Sequence, residues 1–322
     1  MKTTFRLLLI SLLLLGIASF AQEQAPAVNH NTWTSGAPMP TAVWFPAATG
    51  VIKSQIYLVG GYDSSESVVA DNQIYHAATN SWSTGAPMPA PTAQGASAVV
   101  KNILYVFGGS PDGKTCNIST VLAYNPKTNS WSSKSPMPTA RCSAAAAVDK
   151  NIIYVIGGYS SGSGQRLNTV EAYNPATDTW TEEAPMLVGK SEPAVALSGT
   201  AIVASGGYTQ SGDTGDNEGY NVATNAWASL KSDPSTRNGS CFGTIGPQLY
   251  VAGGYPGGGP GTPALTVNES FKRSKNSWKT LAPMPQASVV PGSAVYKGQL
   301  YCFGGAAATY GTILNNVQIY QP

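Results

Sequence analysis

The sequence predicts an all-β fold: a six-bladed β-propeller of four-stranded antiparallel blades, closed by an N-terminal strand that completes the last blade. Three observations lead there. Glycine pairs stand at 60–61, 108–109, 157–158, 206–207, 253–254 and 304–305, spaced by 48, 49, 49, 47 and 51 residues. Other landmarks keep that register. An aromatic follows each pair (Tyr75, Tyr124, Tyr173, Tyr220, Phe271, Tyr320), and a tryptophan lies seven residues beyond the first five (Trp82, Trp131, Trp180, Trp227, Trp278). Pro-Met recurs at 38–39, 87–88, 136–137, 185–186 and 283–284. Finally, the sixth block stops at Pro322, before its tryptophan, while an orphan Trp33 precedes the first block.

Each block reads as four short strands. In the third, strand a is small and apolar (Ser143 to Val148), and strand b (Ile152 to Ile156) is stopped by Gly157-Gly158. Strand c runs from Val170 to Tyr173, and strand d carries Trp180. Between them, Asn174-Pro175-Ala176-Thr177-Asp178 is turn chemistry, because proline presets φ and Asn or Asp bonds its own backbone. A lone four-stranded sheet leaves both faces wet. Six packed around an axis bury them, and Trp33 is placed on the strand that closes the ring and removes its open edge.

Composition agrees. Only 11% of residues are charged, against about 25% in a typical globular protein. Gly 35 and Pro 23 in 322 residues leave little sequence suited to long helices. The formal charge of +2 is too small for the basic field of nucleic-acid binding. Both excess charges, Lys2 and Arg6, precede the apolar run Leu7 to Ile17, and Ser19-Phe20-Ala21 has small residues at the −3 and −1 positions of a cleavage site. This is the three-part pattern of a secretory leader, and its apolar run is short of the roughly 20 residues that span a bilayer. Residues 1–21 are therefore expected to be a signal peptide and residues 22–322 the propeller. The mature protein is expected to be neutral, exported to the periplasm or outside the cell, monomeric and not inserted in a membrane.

The double glycine, the spaced Tyr and Trp and the period near fifty resemble the kelch repeat over residues 33 to 322. The resemblance implies a propeller like the central domain of galactose oxidase, in fold only, because kelch propellers host unrelated activities. Copper oxidases of that kind need histidine ligands and a Tyr-Cys pair. Iron-dependent plant kelch proteins use a spaced Glu, Asp and His set. Here the two histidines, His30 and His76, fall at the closing strand and at a c–d turn, so neither set is present. No metal site and no cofactor is expected.

Strand direction places the d–a and b–c connections on one face, around the channel mouth. Alignment on the glycine pairs puts Trp44, Thr92, Arg141, Lys190, Arg237 and Ser288 at the opening of strand a, with Gln94 and Glu192 two residues further in. Arginines at this position resemble those of kelch adaptors that bind acidic peptides. Arg141, Lys190 and Arg237 therefore make a candidate cationic pocket for a carboxylate. The alternative is that they pair with Glu192 and with loop acids such as Asp213, Asp216 and Glu218. Tyr62, Tyr159, Tyr208 and Tyr255 follow their glycine pairs directly and offer flat rings with polar tips. Arg166 lies in a b–c loop on the same face, whereas Asp63, Glu66, Asp213 and Asp216 read as solvated loop acids. Tyr57, Tyr105, Tyr154, Tyr250 and Tyr301, three before a glycine pair, read as core.

Export permits disulfides. Cys116 and Cys142 sit on the mouth face of adjacent blades and are expected to pair, while Cys241 and Cys302 read as two buried thiols in preference to a bridge. The expected function is a non-enzymatic binding propeller that takes a protein, peptide or glycan ligand at the loop face of the channel. The alternative is an enzyme resembling the exported bacterial sialic-acid mutarotases. In that reading Arg141, Lys190 and Arg237 hold a sugar carboxylate and Glu192, the acid/base candidate, moves the proton.

Overall fold

The computed structural model describes residues 30–257, 261–308 and 311–322. The expected signal peptide lies outside them. Six four-stranded antiparallel sheets follow one another along the chain. Blade 1 comprises Ala48–Ile52, Gln55–Tyr62, Val68–His76 and Ser81–Thr84. Blade 2 comprises Ala96–Val100, Ile103–Phe107, Val121–Asn125 and Ser130–Lys134. Blade 3 comprises Ala145–Asp149, Ile152–Ile156, Val170–Asn174 and Thr179–Glu183. Blade 4 comprises Ala194–Ser198, Ala201–Ser205, Asn217–Asn221 and Ala226–Leu230. Blade 5 comprises Cys241–Ile245, Gln248–Ala252, Asn268–Lys272 and Ser277–Thr280. Blade 6 comprises Gly292–Tyr296, Gln299–Phe303, Val317–Gln321 and, from the other end of the chain, Thr32–Gly36. Trp33 lies opposite Tyr320 in that last pairing, so the N-terminal strand closes the ring as expected.

Three repeated interactions hold the blades together. On the outer side, a left-handed Asn or Asp in each c–d turn accepts a backbone N–H of the preceding blade and, except in blade 5 where strand c carries Phe271, the strand-c Tyr hydroxyl. Asn129 takes Tyr124 at 2.6 Å and the Ala86 N–H at 2.7 Å. Trp131, two residues on, donates its indole N–H to the Ala86 carbonyl at 2.9 Å. The closing strand repeats this: Asn31 accepts Tyr320 and the Ala282 N–H, and Trp33 donates to the Ala282 carbonyl. In the middle, the second glycine of each pair donates to the residue that opens strand a of the next blade, as Gly109 does to Arg141 and Gly158 to Lys190. A Cβ on the first glycine, at φ near 60°, would collide with that carbonyl, so the pair cannot carry side chains.

The third interaction rings the channel. Phe45, Gln94, Ser143, Glu192, Gly239 and Val290, one per blade, all have left-handed φ between 47° and 60°. Each N–H donates to the carbonyl of the ring residue in the preceding blade, at 2.5–3.2 Å, and the N–H of Phe45 returns to Val290. The six bonds form a closed circle. This is why strand a of blade 3 begins at Ala145, two residues later than the sequence suggested: Ser143 belongs to the ring.

The core lies between blades. Tyr57, Tyr105, Tyr154, Tyr250 and Tyr301 are buried there with the strand-c aromatics, as expected, and the tryptophans lie half-buried over them at about 5 Å. Met39, Met88, Met137, Met186 and Met284 of the Pro-Met pairs are buried beside them. Cys116 pairs with Cys142 as expected. Cys241 and Cys302 also form a disulfide, which corrects the reading of two free thiols. Strand a of blade 5 packs on strand b of blade 6, and this brings together cysteines 61 residues apart. Two disulfides fit an oxidising compartment.

Candidate functional site

The basic arc is not a pocket. Arg141, Lys190 and Arg237 are at most 1% exposed. Each points into its own blade and meets a carboxylate that strand c presents behind it. Arg141 lies 2.9 Å from Glu171, and Lys190 lies 3.0 Å from Glu218. Arg237 is held by Glu269 and, through two 3.0 Å hydrogen bonds, by Asp233. A charge sealed from water needs such a partner, so these residues brace blades 3, 4 and 5 and offer no charge at the mouth. Of the partners expected from sequence, only Glu218 takes this role. Asp233 occupies the place of the missing Pro-Met methionine, four residues before Arg237, where Met137 precedes Arg141 and Met186 precedes Lys190. Burial and the adjacent Asp233 carboxyl push Glu269 upward, and Arg237 opposes them.

Trp44 also needs correction. Blade 1 carries one extra residue between its ring position and strand a, Pro46-Ala47 where blade 2 has only Gly95. Counting back from the glycine pair by the same number therefore stops one residue short. The residue equivalent to Arg141 is Val43, whose carbonyl accepts from Gly305, and Trp44 corresponds to Cys142. Trp44 still reaches the mouth, packed against Phe45 and Tyr62 at 5.1 and 5.8 Å.

The mouth is a funnel of about 600 Å³ above the ring, and a channel cavity of about 420 Å³ lies below it. Phe45, Gln94 and Glu192 face both. The funnel has two unlike walls. Blades 6 and 1 supply Val289, Trp44, Phe45 and Tyr62, which is an apolar aromatic surface. Blades 3 to 5 supply Arg166, Tyr208, Glu192 and Asn238. Tyr255 lies between the two walls.

Small hairpins build the polar wall. Tyr159–Ser160 pairs with Gln165–Arg166, and Tyr208–Thr209 pairs with Gly212–Asp213. They set the Arg166 guanidinium between two rings, 4.3 Å from the Tyr159 centroid and 4.9 Å from that of Tyr208. Its Nε is buried without a hydrogen-bond partner. No ion pair among the described residues involves Arg166 or Glu192.

Glu192 is fixed by the ring, and its carboxylate lies against Gly239, where an added Cβ would stand 3.3 Å from it and would collide with the Val290 side chain. Burial pushes the Glu192 carboxyl up to about 7; Arg166 opposes this, Asp213 adds to it, and a hydrogen bond with Ser143 opposes it. Asp213 is a half-buried acid that accepts the Asn238 side-chain amide, and its carboxyl is raised by burial. It is not the solvated loop residue that was expected. Cys116–Cys142 ties the blade 2 loop bearing Asp112 and Lys114 to the ring strand beside Ser143. Sequence reasoning found Gln94 and Glu192 but missed Ser143, Gly239 and Val290, which stand at the same offset in the other blades.

Known proteins share this architecture. The family model described as the KLHDC2/KLHL20/DRC7 Kelch-repeats domain matches residues 28–194. The chain belongs to the kelch-repeat family. A second kelch model, the Kelch motif, matches residues 236–285. Kelch-like protein 23 of Homo sapiens is 28% identical over 105 residues, covering 33% of this chain and 17% of that protein. Kelch-like protein terF of Aspergillus terreus is 30% identical over 105 residues, covering 32% of this chain and 23% of that one. The chain thus spans less than a quarter of these kelch relatives. The solved structure of YjhT superposes with a TM-score of 0.75 at 19% identity, over 88% of this chain and 96% of that one, which is a likeness of fold.

Proposed function

We propose that this kelch propeller is an exported binding module that takes a carboxylate-bearing group of a protein, peptide or glycan into the funnel. The observation that carries the reading is Arg166, a guanidinium stacked between Tyr159 and Tyr208 and lacking an ion-pair partner among the described residues. Guanidinium groups recognise carboxylates through paired N–H donors, and stacking presets the plane. The facing aromatic wall takes the apolar face of the same group. A funnel of about 600 Å³ suits a residue-sized or sugar-sized group. Kelch propellers generally serve protein interaction, which favours a macromolecular partner. The test is a screen of acidic peptides and acidic glycans against the wild type and Arg166→Gln. Binding lost in the variant supports the reading; equal binding by both refutes it.

A second reading is favoured by one observation: Glu192, held near neutrality, shares the funnel with Arg166. Such a pair suits proton transfer to a sugar acid bound through its carboxylate, as in a mutarotase. Exchange NMR of sialic-acid anomers tests it, and unaltered anomer exchange in the presence of the protein eliminates it.

A further inference from the structure

Resting on the carboxylate reading above, we propose that capture of a carboxylate in the funnel is coupled to uptake of one proton at Glu192. The site then loads below neutral pH and releases its ligand as the pH rises through neutrality.

The coupling follows from what surrounds Glu192 and from its inability to move away. Its backbone is locked at φ 57° in the ring, donating to Ser143 at 2.8 Å and accepting from Gly239 at 3.2 Å. Its carboxyl lies over Gly239, in space that a side chain there would contest. Blade 3 turns the Ser143 hydroxyl and Arg166 toward it, and blade 4 contributes Asp213 and Tyr208. Blade 5 presents Asn238, whose amide is engaged with Asp213, and blade 2 presents Gln94. Further out, the wall carries Glu66, Asp112 and Lys114.

Near Glu192, therefore, one cation offsets two carboxyl groups. A ligand carboxylate seated on Arg166 takes up that positive charge and adds a third negative charge to the same enclosed space. Like charges crowded in a poorly solvated site favour protonation of one of them. Glu192 is the group that takes the proton, because burial already holds it near neutrality before any ligand arrives. Linkage then sets the form of the effect. With one proton taken up, affinity is flat below the pKa of the free protein and falls tenfold per pH unit above it, until the pKa of the bound state is reached.

Benzoate is a suitable probe, because it is a carboxylate on a flat apolar body and stays ionised from pH 5.5 to 8.5. Benzamide is the uncharged control. Titration calorimetry in two buffers of different ionisation enthalpy reads proton uptake directly. We expect benzoate affinity to fall about fivefold from pH 7 to 8, with close to one proton taken up at pH 8 and no pH dependence for benzamide. Glu192→Gln abolishes the uptake and flattens the profile, and Asp213→Asn moves the onset of the fall to lower pH, since the Asp213 carboxylate helps to hold the Glu192 carboxyl up. Benzoate binding that ignores pH, or uptake that persists in Glu192→Gln, overturns the coupling and leaves the carboxylate reading standing. Absence of benzoate binding at every pH overturns both.

Discussion

Replacing Arg141 by Met is expected to cost the protein about 3–5 kcal/mol, the usual penalty for breaking a buried ion pair from one side. The geometry sets that magnitude. Arg141 is 0% exposed, its Nη2 lies 2.9 Å from Glu171, and Glu171 is itself 2% exposed. Without the guanidinium, Glu171 is left charged in a place without water, or must take up a proton there. The same reasoning predicts that Arg141→Met combined with Glu171→Leu recovers most of the loss, since a buried pair replaced by apolar groups of similar volume is often neutral or better. The protein already contains an uncharged version of this layer: blade 2 has Thr92 at the Arg141 position and Leu122 at the Glu171 position. Urea unfolding of the wild type, both single variants and the double variant gives the coupling energy. A loss below about 1 kcal/mol for the single Arg141 variant, a size typical of exposed pairs, would refute the claim that the basic arc is a sealed brace.

Three further outcomes are expected. Trp33→Ala should cost about 3–5 kcal/mol by denaturant unfolding, because Trp33 covers Tyr320 at 5.0 Å and anchors the closing strand to Ala282. Cys241→Ala with Cys302→Ala should lower stability by about 2–4 kcal/mol, measured the same way. Glu192 should make the ligand-free protein less stable as pH rises. A carboxyl raised in the folded state from 4.5 to about 7 stabilises fully below 4.5, and that contribution is lost as pH climbs through 7. The whole displacement converts to about 3 kcal/mol at roughly 1.36 kcal/mol per tenfold. Thermal melts from pH 4.5 to 8 should therefore decline less steeply for Glu192→Gln than for the wild type, and parallel curves would refute the assignment.

Much of the fold was legible because the repeat writes each interaction six times. Glycine pairs, turn asparagines and tryptophans are required by backbone geometry that recurs in every blade, so their spacing revealed the blades and the orphan Trp33 revealed the closure. The site was harder to read, because it is where the blades differ. Arg141, Lys190 and Arg237 stood out as basic residues near the mouth. Whether such a side chain turns outward to solvent or inward to strand c depends on Glu171, Glu218 and Glu269, some 28 to 32 residues away in sequence. Arg166 was noticed as a polar loop residue, but its importance comes from Tyr159 and Tyr208, which belong to two different blades.

The amino-acid sequence by itself determined the number of blades, the order of strands within them and the way the ring closes, because these follow from local periodicity and turn chemistry. The tertiary structure alone decided which charges are spent inside blades and which remain at the mouth. It also decided that Cys241 meets Cys302, and that six left-handed residues link into one hydrogen-bonded circle. Each of these depends on distances across blade boundaries. A one-residue insertion such as that at Pro46-Ala47 shifts the count along the chain while the backbone absorbs it in space, so sequence spacing cannot report those distances.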